Sequence, residues 1–188
     1  QQRGEIPQGR IALVLASKPG VYALERAKQA GIPSDVLVRR EFPTQEAYDE
    51  ALIGKLEAAG TDLVILAGFL TIISETVVNR FENRIINVHP SLIPSFCGEG
   101  YYGLRVHEEA LCRGVKVTGA TVHFVNNVCD GGPIILQRAV EVQEGDTPET
   151  LQRRVMEEAE RKLLPKAAAL LCEGRQSEEN GVVHCREE

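Results

Sequence analysis

The sequence predicts an α/β protein: a mostly parallel sheet with helices on both faces, finished by an antiparallel pair of strands near its carboxyl end. Three observations predict it. Apolar runs of strand length alternate with longer amphipathic stretches, as in a sheet wound with crossover helices. One run, DLVILAGF (62–69), is nearly unbroken in its hydrophobicity, as expected of a central parallel strand buried on both sides. Finally, VTGATVHFV (117–125) and PIILQRAVEV (133–142) are joined by NNVCDGG, a link too short for a helical crossover, so they pair antiparallel.

Each element follows from its local chemistry. IALVLAS (11–17) is the first strand-length run. VYALERAKQAGI (21–32) spaces Leu24, Ala27 and Ala30 at helical intervals and ends on Gly31, suited to the left-handed turn that closes a helix. DVLVRR (35–40) gives a short strand. TQEAYDEALIGKLEAAG (44–60) is a helix capped by Thr44, with Ala47, Ala51, Leu52 and Leu56 on one face and Gly60 at its end. After the strand at 62–69, a short helix begun by Ser74 leads into the strand RIINVH (84–89). DTPETLQRRVMEEAERKLLPKAAALLCEG (146–174) is a long helix with Thr147 as cap, Pro148 where its missing N–H costs nothing, and a kink at Pro165. The tail NGVVHCREE forms a terminal strand or hairpin. No repeat, low-complexity tract or linker divides the chain, so residues 1–188 are expected to form one domain.

Composition narrows the function. A chain of 188 residues that is 43% hydrophobic can bury a core of two or three layers. The net charge of −6 and the scatter of its 21 Lys and Arg argue against a nucleic-acid surface. No window reaches the ~18 apolar residues of a membrane span and no signal peptide opens the chain, so the expected location is cytoplasmic. The five cysteines form no C-x-x-C pair and read as reduced thiols. No spacing suggests a metal cage, and G-x-S-x-G, P-loop and G-x-G-x-x-G signatures are all missing.

The chemistry concentrates in IINVHPSLIPSF (85–96). Residues two apart on a strand share a face, so Asn87 and His89 project together while Ile86 and Val88 project oppositely. Pro90 cannot extend a central ladder, which places His89 at the strand's carboxyl end, the edge where open α/β sheets bind ligands. Asp130, in the tight link VCDGG, is the candidate carboxylate to tune the imidazole, with Gly131 and Gly132 supplying close backbone approach and positive φ. As a plain turn aspartate it would do neither. Asn126 and Asn127 read as turn residues in a loop able to cover a flat ligand. His123 alternates with Val122 and Phe124, either as a core histidine or as a support for His89. AGFLTIIS (67–74) leaves a strand end and either walls an aromatic slot or packs the next helix.

These motifs carry a resemblance. N-V-H-P-S-L-I-P-S-F, then G-A-T-V-H-F-V and D-G-G-P-I-I-L-Q, with L-E-R-A-K-Q-A-G-I and L-A-G-F-L-T-I-I-S, closely resemble the folate-dependent formyltransferases, and among them the glycinamide ribonucleotide transformylases, from about Ile11 to Arg175. The resemblance implies a Rossmann-like formyltransferase fold and transfer of the formyl group of 10-formyltetrahydrofolate, a co-substrate, to the amine of glycinamide ribonucleotide in purine biosynthesis. It implies Asn87 and a protonated His89 as donors to the oxyanion, Asp130 as the group that raises the His89 pKa and moves a proton, and His123 as support. It implies a folate site of Leu70, Thr71, Ile72 and Ile73 with Asn87 and the loop Asn126, Asn127, Val128, Cys129 and Asp130, and nucleotide contacts at Pro90 and Glu160. Small molecules would be the only partners, and the chain a monomer or homodimer. The alternatives are a formyltetrahydrofolate hydrolase, a transferase with another amine acceptor, and a non-catalytic truncated homologue.

Three departures stand out. Gln45 occupies the place where family members often carry an arginine for the folate's glutamate tail. The segment C-G-E-G-Y-Y-G-L-R-V-H is longer than its counterparts, with Tyr101, Tyr102 and Arg105 in it. The strand and Gly/Ser-rich phosphate loop that begin family members have no counterpart before QQRGEIPQG, so the gene product is expected to carry a further N-terminal segment, and residues 1–188 alone are expected to turn over little substrate.

Overall fold

The computed structural model describes residues 4–69, 71 and 73–186. β1 (Val14–Ala16), α1 (Tyr22–Gln29) and β2 (Ser34–Val36) begin the fold, with β1 and β2 paired in parallel. A 3₁₀ turn (Arg39–Glu41) leads to α2 (Gln45–Ala58), β3 (Val64–Leu66), α3 (Glu75–Arg80) and β4 (Ile85–His89). α4 (Leu104–Arg113) precedes the long strands β5 (Val117–Phe124) and β6 (Ile134–Glu141). α5 (Pro148–Val155), a π-turn (Met156–Glu160) and α6 (Arg161–Cys172) follow, then β7 (Gln176–Glu179) and β8 (Val182–Cys185).

The caps fall where the sequence puts them. Thr44 and Ser74 accept hydrogen bonds from the N–H groups of Ala47 and Val77, and Thr147 from that of Thr150. Pro165 lies inside α6, where its ring crowds the Arg161 carbonyl and removes that carbonyl's N–H partner, and the departure from α geometry is the π-turn that directly precedes α6. α4 was not expected. Its Val106, His107 and Ala110 are buried, and left-handed Gly114 closes it, but the glycine-rich run ahead of it masks that short signal.

β3, β4, β5 and β6 are hydrogen-bonded in that order, parallel between β3 and β4 and antiparallel from β4 to β6; β7 and β8 form the terminal hairpin. Run 62–69 is therefore not a central strand buried on both sides. Among the described residues β3 pairs only with β4, so it is an outer strand, and its Ile65 is 40% exposed.

Alternation along β4 and β5 sorts the core into two layers. Ile86, Val88, Ala120, Val122 and Phe124 pack on one face with Leu151, Val155, Ala159 and Leu163 of the long helical arm. A fully buried Val, Leu or Ile side chain among them is worth ~1.5–3 kcal/mol. Ile85 and Val125, of opposite parity, meet Tyr48, Leu52, Leu56, Val77 and Phe81 from α2 and the α3 region on the other face. Asn87, His89 and His123 share the parity of this second layer. The apolar residues thus hold β4 flat in the sheet, and its polar pair is left at the carboxyl end.

Candidate active site

β4 lies between β3 and β5, and its register sets Asn87 opposite His123 and His89 opposite Thr121. Both imidazoles are buried. His123 Nδ1 lies 2.8 Å from the Phe124 carbonyl; a carbonyl only accepts, so Nδ1 carries the proton, while Nε2 lies 3.3 Å from Asn87 Nδ2. His123 thereby sets which way the Asn87 amide faces and leaves its second N–H available.

His89 Nε2–H donates to the Phe96 carbonyl at 2.8 Å, so Nδ1 turns toward Asp130, 3.5 Å from Oδ2. The other carboxylate oxygen of Asp130 lies 3.6 Å from His123 Nε2. Asp130 Oδ2 also accepts from the Gly98 N–H at 2.8 Å. The amide, two imidazoles and carboxylate therefore meet at one strand end, drawn from β4, β5 and the β5–β6 loop.

The electrostatics differ in one respect from expectation. Burial would raise the Asp130 carboxyl, but His123, the Gly98 N–H and His89 outweigh it and hold it below the usual carboxylate range. Burial lowers the His89 pKa, with help from His123, and this exceeds the opposing pull of the Phe96 carbonyl and Asp130. The direction runs against the protonated His89 that was expected, because desolvation in this pocket outweighs what the carboxylate returns.

The loop between β5 and β6 is built around Asp130. The positive φ expected at its glycines falls on Asp130 itself, at 53°. Gly132 instead serves close approach, since a Cβ there would stand 1.8 Å from the Phe124 carbonyl oxygen. Asn126 behaves as the turn residue expected, donating to the Gly131 carbonyl at 3.3 Å and accepting from the Val128 N–H at 3.0 Å. Asn127, Val128 and Cys129 are exposed along this loop. Thr71, Ile73 and Pro90 are half-buried, whereas Leu70 and Ile72 lie outside the described residues. Glu160 ends the π-turn, its carboxyl raised by burial against the counteracting Arg161, and no bond or ion pair among the described residues joins it to Asn87, His89 or Asp130.

Several contributors were not legible beforehand. Thr121, fully buried, donates to the Ser91 carbonyl at 2.7 Å and accepts from the Ile93 N–H at 3.1 Å, fastening the loop that follows His89. The Phe96 carbonyl and Gly98 N–H act through backbone, which no residue type announces. Gln45 accepts from Arg39 Nε at 2.7 Å and donates to Asp49 at 2.7 Å, and Asp49 accepts from Ser74 Oγ at 2.5 Å. A guanidinium thus stands beside the residue that replaces the family's arginine, in a polar chain ending at the start of α3. Among the described residues no group of three or more His, Cys, Asp or Glu could hold a metal, and no helix is long and apolar enough to cross a membrane.

A family model described as formyl transferase matches residues 1–168. The chain is 44% identical over 164 residues to the bovine trifunctional purine biosynthetic protein adenosine-3, covering 87% of this chain and 16% of that protein. It is 38% identical over 168 residues to the phosphoribosylglycinamide formyltransferase of Escherichia coli K12, covering 89% of this chain and 76% of that one. The crystal structure of glycinamide ribonucleotide transformylase 1 from Symbiobacterium toebii superposes with a TM-score of 0.92 at 44% identity, covering 99% of this chain and 84% of that chain. The chain spans only 12% to 17% of the length of the trifunctional relatives it matches.

Proposed function

The chain belongs to the formyl transferase family, and on that premise we propose that it transfers the formyl group of 10-formyltetrahydrofolate to the amine of glycinamide ribonucleotide. The observation that carries this reading is the meeting of Asn87, His89 and Asp130 at the carboxyl end of β4.

The amine attacks the formyl carbon and the carbonyl oxygen becomes an oxyanion. The second N–H of Asn87 donates to it, and His89 Nε2–H leaves the neutral Phe96 carbonyl for this charged, stronger acceptor. One such donor is typically worth ~2.7–4 kcal/mol of barrier. The attacking nitrogen becomes more acidic as its bond forms, and Asp130, directly or through water, takes its proton, with His89 Nδ1 beside it to share the charge. Collapse of the intermediate breaks the bond to the folate N10, which leaves protonated. The products are the formylated nucleotide and tetrahydrofolate.

The folate lies along Thr71, Ile73 and the exposed loop 126–130, with Leu70 and Ile72 assigned by the resemblance, and Pro90 and Glu160 face the nucleotide. The five free thiols fit the cytoplasm expected for such an enzyme. The test is incubation of the full-length gene product with 10-formyltetrahydrofolate, with and without glycinamide ribonucleotide. Tetrahydrofolate should appear only with the acceptor; release of formate without it would establish the hydrolase reading instead.

A further inference from the structure

Two thiols that the reaction does not use flank Asp130. Cys97 precedes Gly98, whose N–H donates to Asp130 Oδ2 at 2.8 Å, and Cys129 precedes Asp130 itself. A single hydrogen bond therefore ties together the two loops that carry them. Cys97 is half-buried and its Sγ–H donates to the Pro94 carbonyl at 3.3 Å. Cys129 is exposed on a tight turn closed by the Gly131 N–H and the Val128 carbonyl at 2.9 Å. Neither is engaged in a disulfide.

We propose that Cys97 and Cys129 form a redox-sensitive pair, and that a peroxide joins them in a disulfide that locks the loop after β4 to the β5–β6 loop across the mouth of the site. The Cys129 thiolate attacks one peroxide oxygen; the O–O bond breaks and hydroxide leaves, to be protonated to water. The Cys97 thiolate then attacks the resulting sulfenic sulfur, forming the S–S bond as the S–O bond breaks and a second water departs. Two thiols and one hydrogen peroxide give one disulfide and two waters. A disulfide holds its Cα atoms within about 7 Å. The exposed turn is the part that moves to meet this, carrying Asp130 away from its place between His89 and His123.

The surroundings set the reactivity. Burial first and the Asp130 carboxylate second push both thiols up, and for Cys129 the neighbouring Cys97 and Glu99 add to it. The thiolate is the reactive form, so the pair is oxidised more slowly at neutral than at alkaline pH.

The test exposes the full-length protein to hydrogen peroxide at neutral and at alkaline pH, followed by peptide mapping without reduction. The expected result is a linked Cys97–Cys129 peptide pair, formed faster at alkaline pH, with formyl transfer lost in step and regained with dithiothreitol. Cys97→Ser should form no such link and keep its activity through the same exposure. Mapping that finds no Cys97–Cys129 link in the treated wild type, or Cys97→Ser losing activity at the wild-type rate, would overturn the proposal. The mapping reads the link whether or not the protein transfers formyl groups, so failure of the pair and failure of the catalytic reading are told apart.

Discussion

His107 on α4 is fully buried, and neither of its ring nitrogens has a hydrogen-bond partner among the described residues. Burial first, and then the charge of nearby His89, push its pKa down to about 4. An unfolded histidine titrates near 6.5, so on acidification the unfolded chain takes up this proton well before the folded one. The sign follows: the stability His107 permits is fully present above about pH 6.5 and is lost as pH falls toward 4, below which nothing further is lost. The whole span corresponds to ~3.4 kcal/mol, and the part falling between about pH 7 and pH 5 to ~2 kcal/mol. Against a typical domain stability of ~5–15 kcal/mol that is a large fraction. Urea unfolding at the two pH values measures it directly. His107→Leu should lose about 2 kcal/mol less than wild type between about pH 7 and pH 5, with His107→Gln as a second variant of different polarity. The quantity compared is a pH difference within each protein, so a shifted baseline stability does not spoil it. His89 contributes in the same direction but is present in all three proteins. Equal losses in wild type and both variants would refute the reasoning.

Asp130→Asn keeps a residue type that tolerates the positive φ of 53° but removes the proton acceptor; kcat should fall by ~10²–10⁴ in a steady-state assay. Thr121→Val leaves the Ser91 carbonyl and the Ile93 N–H without their partner, and should cost about 2 kcal/mol of stability together with lowered kcat, measured by denaturation and steady-state assay. Arg39→Ala should raise KM about tenfold for a folate bearing its glutamate carboxylates and leave KM for a tail-less analogue alone, the half-buried guanidinium beside Gln45 being the group that meets the tail. Adding Gln45→Arg to Arg39→Ala should restore the loss, and a tail-less analogue suffering equally would disprove the assignment.

What could be read ahead of the coordinates was whatever depends on neighbours in the chain. Parity along β4 placed Asn87 and His89 on one face, the threonine and serine caps announced α2, α3 and α5, and the short link NNVCDGG required β5 and β6 to be antiparallel. Where those local signals misled, the cause was non-local. DLVILAGF has the composition of a strand covered on both sides, yet whether a strand has one neighbour or two is a property of the sheet. The short α4 hid behind a run of glycines because its burial depends on packing with α5.

The amino-acid order by itself determined the alternating α/β plan, the exposed strand end and the residue types able to act there. Only the tertiary structure decided that Asp130 reaches both histidines, that Phe96 and Gly98 complete the site through their backbone, and that burial outweighs Asp130 in setting the His89 pKa. Desolvation and hydrogen-bond partners are set by groups far apart in the chain, so no reading of one strand could supply them.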